Sequence, residues 1–100
     1  MNNKILSLLG LMRKANKLVF GYDKSKQVIQ SGKVDLVLVT KDISDHSYND
    51  IKKVSEDAKT KVMELPFTKD EINDFVGKYA AIICVCDKGF SEKLTSLLED

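Results

Sequence analysis

The sequence predicts a layered α/β domain in which helices cover both faces of a short-stranded, largely parallel sheet. Three observations carry that reading. Amphipathic helical stretches alternate with brief apolar runs along the whole chain, the runs Leu36-Val37-Leu38-Val39 and Ala81-Ile82-Ile83-Cys84-Val85 hold no polar group except a thiol, and no linker or repeat interrupts the pattern. An unbroken apolar run suits a strand buried on both faces, and strands alternating with helices suit a sheet covered on both sides. With 100 residues, 43% hydrophobic and 31% charged, the chain is expected to form one domain over residues 1–100. A domain of that size buries enough surface for a core without disulfide or metal staples.

The elements follow in order. Ile5, Leu8, Leu9 and Met12 recur at helical spacing, so residues 3–14 read as an amphipathic helix with Arg13 and Lys14 in its last turn, beside the negative end of the dipole. Leu18-Val19-Phe20 is a short strand stopped by Gly21, and a second helix runs from Asp23, as an Asx-type N-cap, to Ser31, with Gly32 ending it. Beyond the strand at 36–39, Ile51, Val54 and Ala58 form the stripe of a third helix, and Val62-Met63-Glu64-Leu65 is a strand ended by Pro66. Thr68-Lys69-Asp70-Glu71 is a capping box, in which hydroxyl and carboxylate satisfy opposing backbone donors, and the helix it opens is expected to bury Ile72, Phe75 and Val76. The run at 81–85 is the last strand, and Phe90, Leu94, Leu97 and Leu98 line the closing helix. The order is αβαβαβαβα, and composition does not decide which strands pair.

Cysteine usage and the chain start bound the setting. Cys84 and Cys86, two apart on a strand, point to one face with their sulfurs poorly placed for a mutual bond, so both are expected to be buried, reduced thiols in a cytoplasmic protein. The apolar part of the first fourteen residues is too short for a membrane span and has no small-residue cleavage site behind it, so neither secretion nor membrane insertion is expected.

The net charge of +1 conceals an asymmetry. Residues 1–34 hold Lys4, Arg13, Lys14, Lys17, Lys24, Lys26 and Lys33 against Asp23 alone, a net of +6, and the remainder carries −5. One contiguous electropositive surface on an acidic body is the footprint of a polyanion binder; an excess of lysine on solvated helix faces is the plainer alternative.

Three blocks coincide in order and spacing: Leu8-Leu9-Gly10-Leu11-Met12-Arg13-Lys14 running through a basic turn to Gly21, Ser31-Gly32-Lys33-Val34-Asp35-Leu36-Val37-Leu38-Val39 ending in Asp42, and Cys86-Asp87-Lys88-Gly89-Phe90 with Lys93-Leu94 and Leu97-Leu98. Together they resemble the YlxQ-like bacterial branch of the ribosomal protein L7Ae/L30e superfamily, whose members bind kink-turn RNA, and the resemblance covers essentially the whole chain. It implies a three-layer α/β/α sandwich with a four-stranded mixed sheet, and non-catalytic binding of structured RNA, ribosomal or otherwise non-coding, in a ribosome or translation context. DNA and membranes are not expected partners, and a monomer is expected.

The superfamily's RNA-reading signature is Gly-x-Asn-Glu-x-x-Lys with a further glycine eleven residues after the first, a spacing that Gly21 and Gly32 match. At Gly21 the missing Cβ lets a nucleic-acid backbone approach the opening of a helix, whose free N–H groups favour phosphate; an ordinary strand-to-helix turn is the plainer account. Tyr22 follows it, and Arg13, Lys14, Lys17, Lys24 and Lys26 lie close by in sequence, supplying affinity without base reading. Three positions depart from the signature: Asp23 stands at the asparagine, Lys24 at the glutamate and Gln27 at the lysine. An ionised aspartate accepts but does not donate, and lysine reverses the charge of glutamate, so tight recognition of a standard kink-turn with sheared G·A pairs is not implied. The resemblance maps a second RNA-binding loop onto Gly77-Lys78-Tyr79-Ala80, where Tyr79 offers a ring for base stacking or a half-buried structural tyrosine. The same departures support an alternative, a protein-interaction module that keeps the fold after losing the RNA-reading residues.

No catalytic or cofactor pattern competes. The chain lacks GxxxxGK[ST], GxGxxG and any metal-ligand cluster, and His46 between Asp45 and Ser47 reads as a capping segment. Asp42 at a strand end suggests a phosphoacceptor, but Gly21-Tyr22 follows the first strand where an acidic pair belongs. No enzyme activity, cofactor or metal is therefore expected.

Overall fold

The computed structural model describes residues 2–99. Its elements are α1 (Asn2–Lys14), β1 (Leu18–Phe20), α2 (Tyr22–Gln30), β2 (Leu36–Val39), α3 (Asp45–Asp57), β3 (Val62–Glu64), α4 (Lys69–Val76), β4 (Ile82–Val85) and α5 (Lys88–Glu99). The order is the one expected, in an α/β/α sandwich around a four-stranded mixed sheet.

The sheet runs β1-β4-β2-β3. β2 and β3 are parallel, but β4 is antiparallel to both of its neighbours, so the expectation of a largely parallel sheet is corrected. The apolar runs mark burial on two faces, and that burial is the same for either strand direction. β2 and β4 are buried at every position. Side chains alternate across the sheet: Leu36, Leu38, Ile83 and Val85 pack with Ile5, Leu9, Met12, Ile72 and Leu94 under α1, α4 and α5. On the other face Val37, Val39, Ile82 and Cys84 pack with Ile29 and Ile51 under α2 and α3. Each fully buried aliphatic side chain contributes roughly 1.5–3 kcal/mol relative to exposure.

Caps set the helix boundaries. The Thr68 hydroxyl accepts from Glu71 N–H at 3.2 Å while the Glu71 carboxylate accepts from Thr68 N–H at 2.9 Å. Ser44 caps α3 by accepting from Ser47 N–H, with Asp45 and His46 in the first turn behind it. Asp87 accepts from Phe90 N–H at 2.9 Å near the start of α5. α2 differs: its N-cap is Gly21, not Asp23, and no side chain caps it. Asp23 lies inside the first turn, because Gly21 at φ 99° turns the chain two residues earlier than an Asx cap at Asp23 would. Phe75, expected in the core, is 65% exposed; α4 buries Ile72 and Val76 instead.

Cys84 is buried and Cys86, just past β4, is half-buried, which corrects the expectation for the second thiol. Burial pushes the Cys84 thiol up to about 11, against a smaller lowering by Ser25. Burial and the nearby Asp35 charge also raise Cys86. A thiol reagent at mildly alkaline pH should therefore label native chains slowly and at Cys86 alone, with Cys84 modified only on unfolding. Peptide mass spectrometry reads the outcome, and rapid labelling of Cys84 would contradict it. Loss of the capping box in Thr68→Ala should cost about 1 kcal/mol, seen as a fall of roughly 4–8 °C in the thermal midpoint of a domain this size.

Candidate nucleic-acid interface

The reversal of β4 builds the site. Phe20 pairs with Ile83 and Val39 with Ile82, so the start of β4 lies beside the ends of β1 and β2. Gly21 N–H donates to Ile82 C=O at 3.1 Å, which ties the opening of α2 to the segment Gly77–Ala81 that feeds β4. The two loops expected to act together therefore meet at one end of the sheet.

A groove of about 390 Å³ runs along β1, one of the two outer strands of the sheet. Leu18, Val19 and Phe20 line it along the strand, Asn16 borders it beyond α1, and Arg13, Lys24 and Lys78 reach it from α1, α2 and the α4–β4 loop. Among the described residues no acidic side chain lines it. Asn16 takes φ 59°, a left-handed conformation that asparagine tolerates, and so turns the chain from α1 into β1.

Arg13 is held in place. Its guanidinium donates from Nη1 to Val76 C=O at 2.7 Å, at the negative end of the α4 dipole. Gly77, the left-handed cap of α4 at φ 85°, leaves that guanidinium its space: a Cβ there would stand 2.5 Å from Nη1. By contrast, nothing lies within 4 Å of a Cβ at Gly21, so the positive φ alone calls for glycine there.

The other expected site residues divide. Asp23, Lys24 and Gln27 are exposed on α2, opposite the buried Ser25 and Ile29. Tyr22 packs into the α2–α3 core, with the Lys26 ammonium 5.3 Å from its ring centre. Lys26 also pairs with Asp50 of α3 at 3.3 Å, which draws its charge away from the groove. Lys4 borders a different hollow, between α1 and α5. The basic residues of the first third thus do not make one contiguous patch. Lys14 is exposed and Lys17 half-buried; the Lys17 carbonyl accepts from Cys86 N–H at 2.8 Å, which sets it at the opposite end of β1 from Gly21. In the second loop Lys78 is exposed and Tyr79 is 61% exposed, but Ala80 is buried at 7% and offers little surface.

Lys69, given no site role in the sequence, and Asp42, weighed there only as a phosphoacceptor, complete this end of the sheet. Lys69 places its ammonium 5.8 Å from the Tyr79 ring centre. Its backbone N–H donates to the Asp42 carboxylate at 3.1 Å. Slight desolvation opposes ionisation of Asp42, but the hydrogen bond from the Lys69 backbone, with the Lys69 charge, helps hold its carboxyl below the ordinary value. Asp42 is thus a tie between the β2 end and the start of α4. The capping box located Lys69 on a helix, but only the meeting of two loops brings it to Tyr79.

Fold and groove define a class: a three-layer α/β/α domain with a cationic groove along one outer strand of a mixed sheet. The chain belongs to the ribosomal protein L7Ae/L30e/S12e/Gadd45 family, whose model matches residues 3–95. A relative named RNA-binding protein YlxQ from Bacillus subtilis (strain 168) is 37% identical over 97 residues, the match covering 92% of each chain. One of the same name from Enterococcus faecium is 30% identical over 96 residues, covering 96% of this chain and 92% of the relative. A solved structure, described as a protein with unknown function from Bacillus halodurans C, matches with TM-score 0.89 at 30% identity, over 97% of this chain and 98% of that one.

The Arg13–Gly77 contact is open to a double-mutant cycle. Gly77→Ala should destabilise the fold by about 1–2 kcal/mol from the left-handed backbone, with a further increment from the guanidinium it displaces. In an Arg13→Ala background only the backbone part should remain. Equal costs in the two backgrounds, measured by denaturant unfolding, would refute the steric part.

Proposed function

We propose that the chain is a non-catalytic binder of folded, kink-turn-like RNA, gripping the backbone along the β1 groove in a ribosomal or translational setting in the cytoplasm. The carrying observation is the groove itself, where Arg13, Lys24 and Lys78 converge from three elements with no acid among the described lining residues. Such a lining displaces counterions from a polyanion on binding. Family membership and the name shared by the two relatives support RNA as that polyanion.

Within this reading the roles differ by position. Gly21 and the uncapped first turn of α2 receive a phosphate, Asp23, Lys24 and Gln27 face the nucleotides, and the face of Tyr79 away from Lys69 stacks on an unpaired base. Lys14 and Lys17 extend the contact toward the far end of β1. Tyr22 and Lys26 hold α2 against α3 and contribute indirectly, and Ala80 shapes the loop. Because Asp23, Lys24 and Gln27 depart from the family signature, preference for a standard kink-turn over a bulged duplex is weak.

Titrating a bulged RNA duplex across salt tests this. The slope should report on the order of 4–6 phosphate contacts. Arg13→Ala, Lys24→Ala and Lys78→Ala should each lower the slope by about one contact, while Lys26→Ala changes it far less. Tyr79→Ala should weaken binding by roughly 1–3 kcal/mol with an unchanged slope. The triple reversion Asp23→Asn, Lys24→Glu and Gln27→Lys should sharpen preference for a standard kink-turn. No RNA binding at low salt would replace this reading with the protein-interaction module.

A further inference from the structure

Three large apolar side chains stand in solvent among the described residues: Leu11, Phe75 and Tyr79. Tyr79 belongs to the groove end of the sheet. Leu11, 59% exposed, and Phe75, 65% exposed, lie instead on the outer surface of the layer formed by α1, α4 and α5. α1 is the middle helix of that layer, in contact with α4 on one side and α5 on the other.

Hollows flank α1 on both sides. The one toward α5, about 480 Å³, is walled by Leu8, Leu11 and Leu97 with Lys4 and Lys93 at its border. The one toward α4, about 190 Å³, is walled by Leu6 and Phe75. Asn3 and Ser7 border both, so the two form one surface across α1. Gly10 follows at helical spacing on the same side, with nothing within 4 Å of where its Cβ would stand. The ridge between the hollows is therefore low enough for another helix to approach.

Charge divides this surface in a complementary way. The α5 hollow carries two ammonium groups and, among the described residues, no acid in its lining. α4 carries Asp70 and the exposed Asp74 on the same helix as the protruding Phe75, its Glu71 carboxylate being engaged in the capping box. Glu99, near the end of α5, is already engaged by Lys61 at 3.0 Å. One half of the surface is thus an apolar protrusion whose chain neighbour, Asp74, is an exposed carboxylate, and the other is an apolar hollow bordered by lysines.

A two-fold axis parallel to α1, between two facing copies, lays α4 of each over α5 of the other. It brings Phe75 to the Leu8, Leu11 and Leu97 hollow of the second copy and Asp74 toward that copy's Lys4 and Lys93, and it makes the same contact twice, in a closed pair. We infer that this face is a homodimer interface in which Phe75 of each copy fills the hollow between α1 and α5 of the other. The pair is weak. A standard stable interface takes about 800 Å² from each partner, a large share of the 5888 Å² surface of this chain, and two exposed anchors make a modest patch. A dissociation constant on the order of 100 µM follows, so dilute protein is the monomer expected from the sequence. The β1 groove lies at another edge of the molecule, so the inference does not rest on the RNA reading.

Sedimentation velocity of the full chain from low micromolar to about 1 mM tests it. The sedimentation coefficient should rise with concentration toward that of a dimer, and added salt should shift the rise to higher concentration. Phe75→Ser and Leu11→Arg should each raise the dissociation constant by about tenfold or more, with circular dichroism and thermal midpoint unchanged because both side chains are exposed. An equimolar mixture of the two variants should associate more tightly than either alone, since one copy keeps Phe75 and the other keeps the hollow. A monomer throughout, association that neither substitution weakens, or a mixture no tighter than its components would each overturn the inference.

Discussion

The antiparallel pairing of β4 with β1 on one side and β2 on the other is the constraint on which the rest of the molecule depends. Because β4 runs against both neighbours, its first residue lies beside the last residues of β1 and β2, and Gly21 can donate to Ile82. The Gly77–Ala81 segment is thereby delivered to the end of the sheet where α2 opens. With β4 parallel, that segment would enter at the Lys17 end of β1, a strand length of roughly 10–13 Å away. Lys78 and Lys24 would then border no common groove.

Electrostatics at the groove depends on how each cation is held. Arg13 points toward the α4 carbonyl end, where a helix dipole and a 2.7 Å hydrogen bond orient it, and Gly77 keeps its space open. Lys24 and Lys26 are two residues apart, which on a helix places them on nearly opposite sides. Lys24 therefore reaches the groove while Lys26 reaches Asp50 and the Tyr22 ring. The three helix starts with side-chain caps, at Ser44, Thr68 and Asp87, have their first donors partly satisfied within the protein. The start of α2 has no such cap, and it is the start beside the groove.

The signature positions and the packing positions of α2 are different residues. Asp23, Lys24 and Gln27 are exposed, so their departures from the family signature leave the packing of Ser25 and Ile29 beneath α2 intact. The family fold can therefore persist while the hydrogen-bonding pattern offered to a nucleic acid changes.

The sequence by itself determined the number, type and order of the elements, the two buried strands and the capping box at Thr68. Each of these is a local property, set by side-chain period, turn chemistry or a hydrogen bond spanning three residues. It also pointed to Gly21 and the second loop as candidate site segments, through a family resemblance and not through periodicity. Only the tertiary structure decided the direction of β4, the exposure of Phe75 and the partition of the basic residues. An apolar run buries equally well in either direction, so strand polarity has no local signature. Phe75 follows the helical apolar stripe, but the core beneath α4 is filled by Ile72 and Val76 and leaves the ring outside. Lys4, Lys24 and Lys26 are equivalent as counts of charge. They differ because packing sends one to the α5 hollow, one to the groove and one to Asp50, and no sum along the chain contains that information.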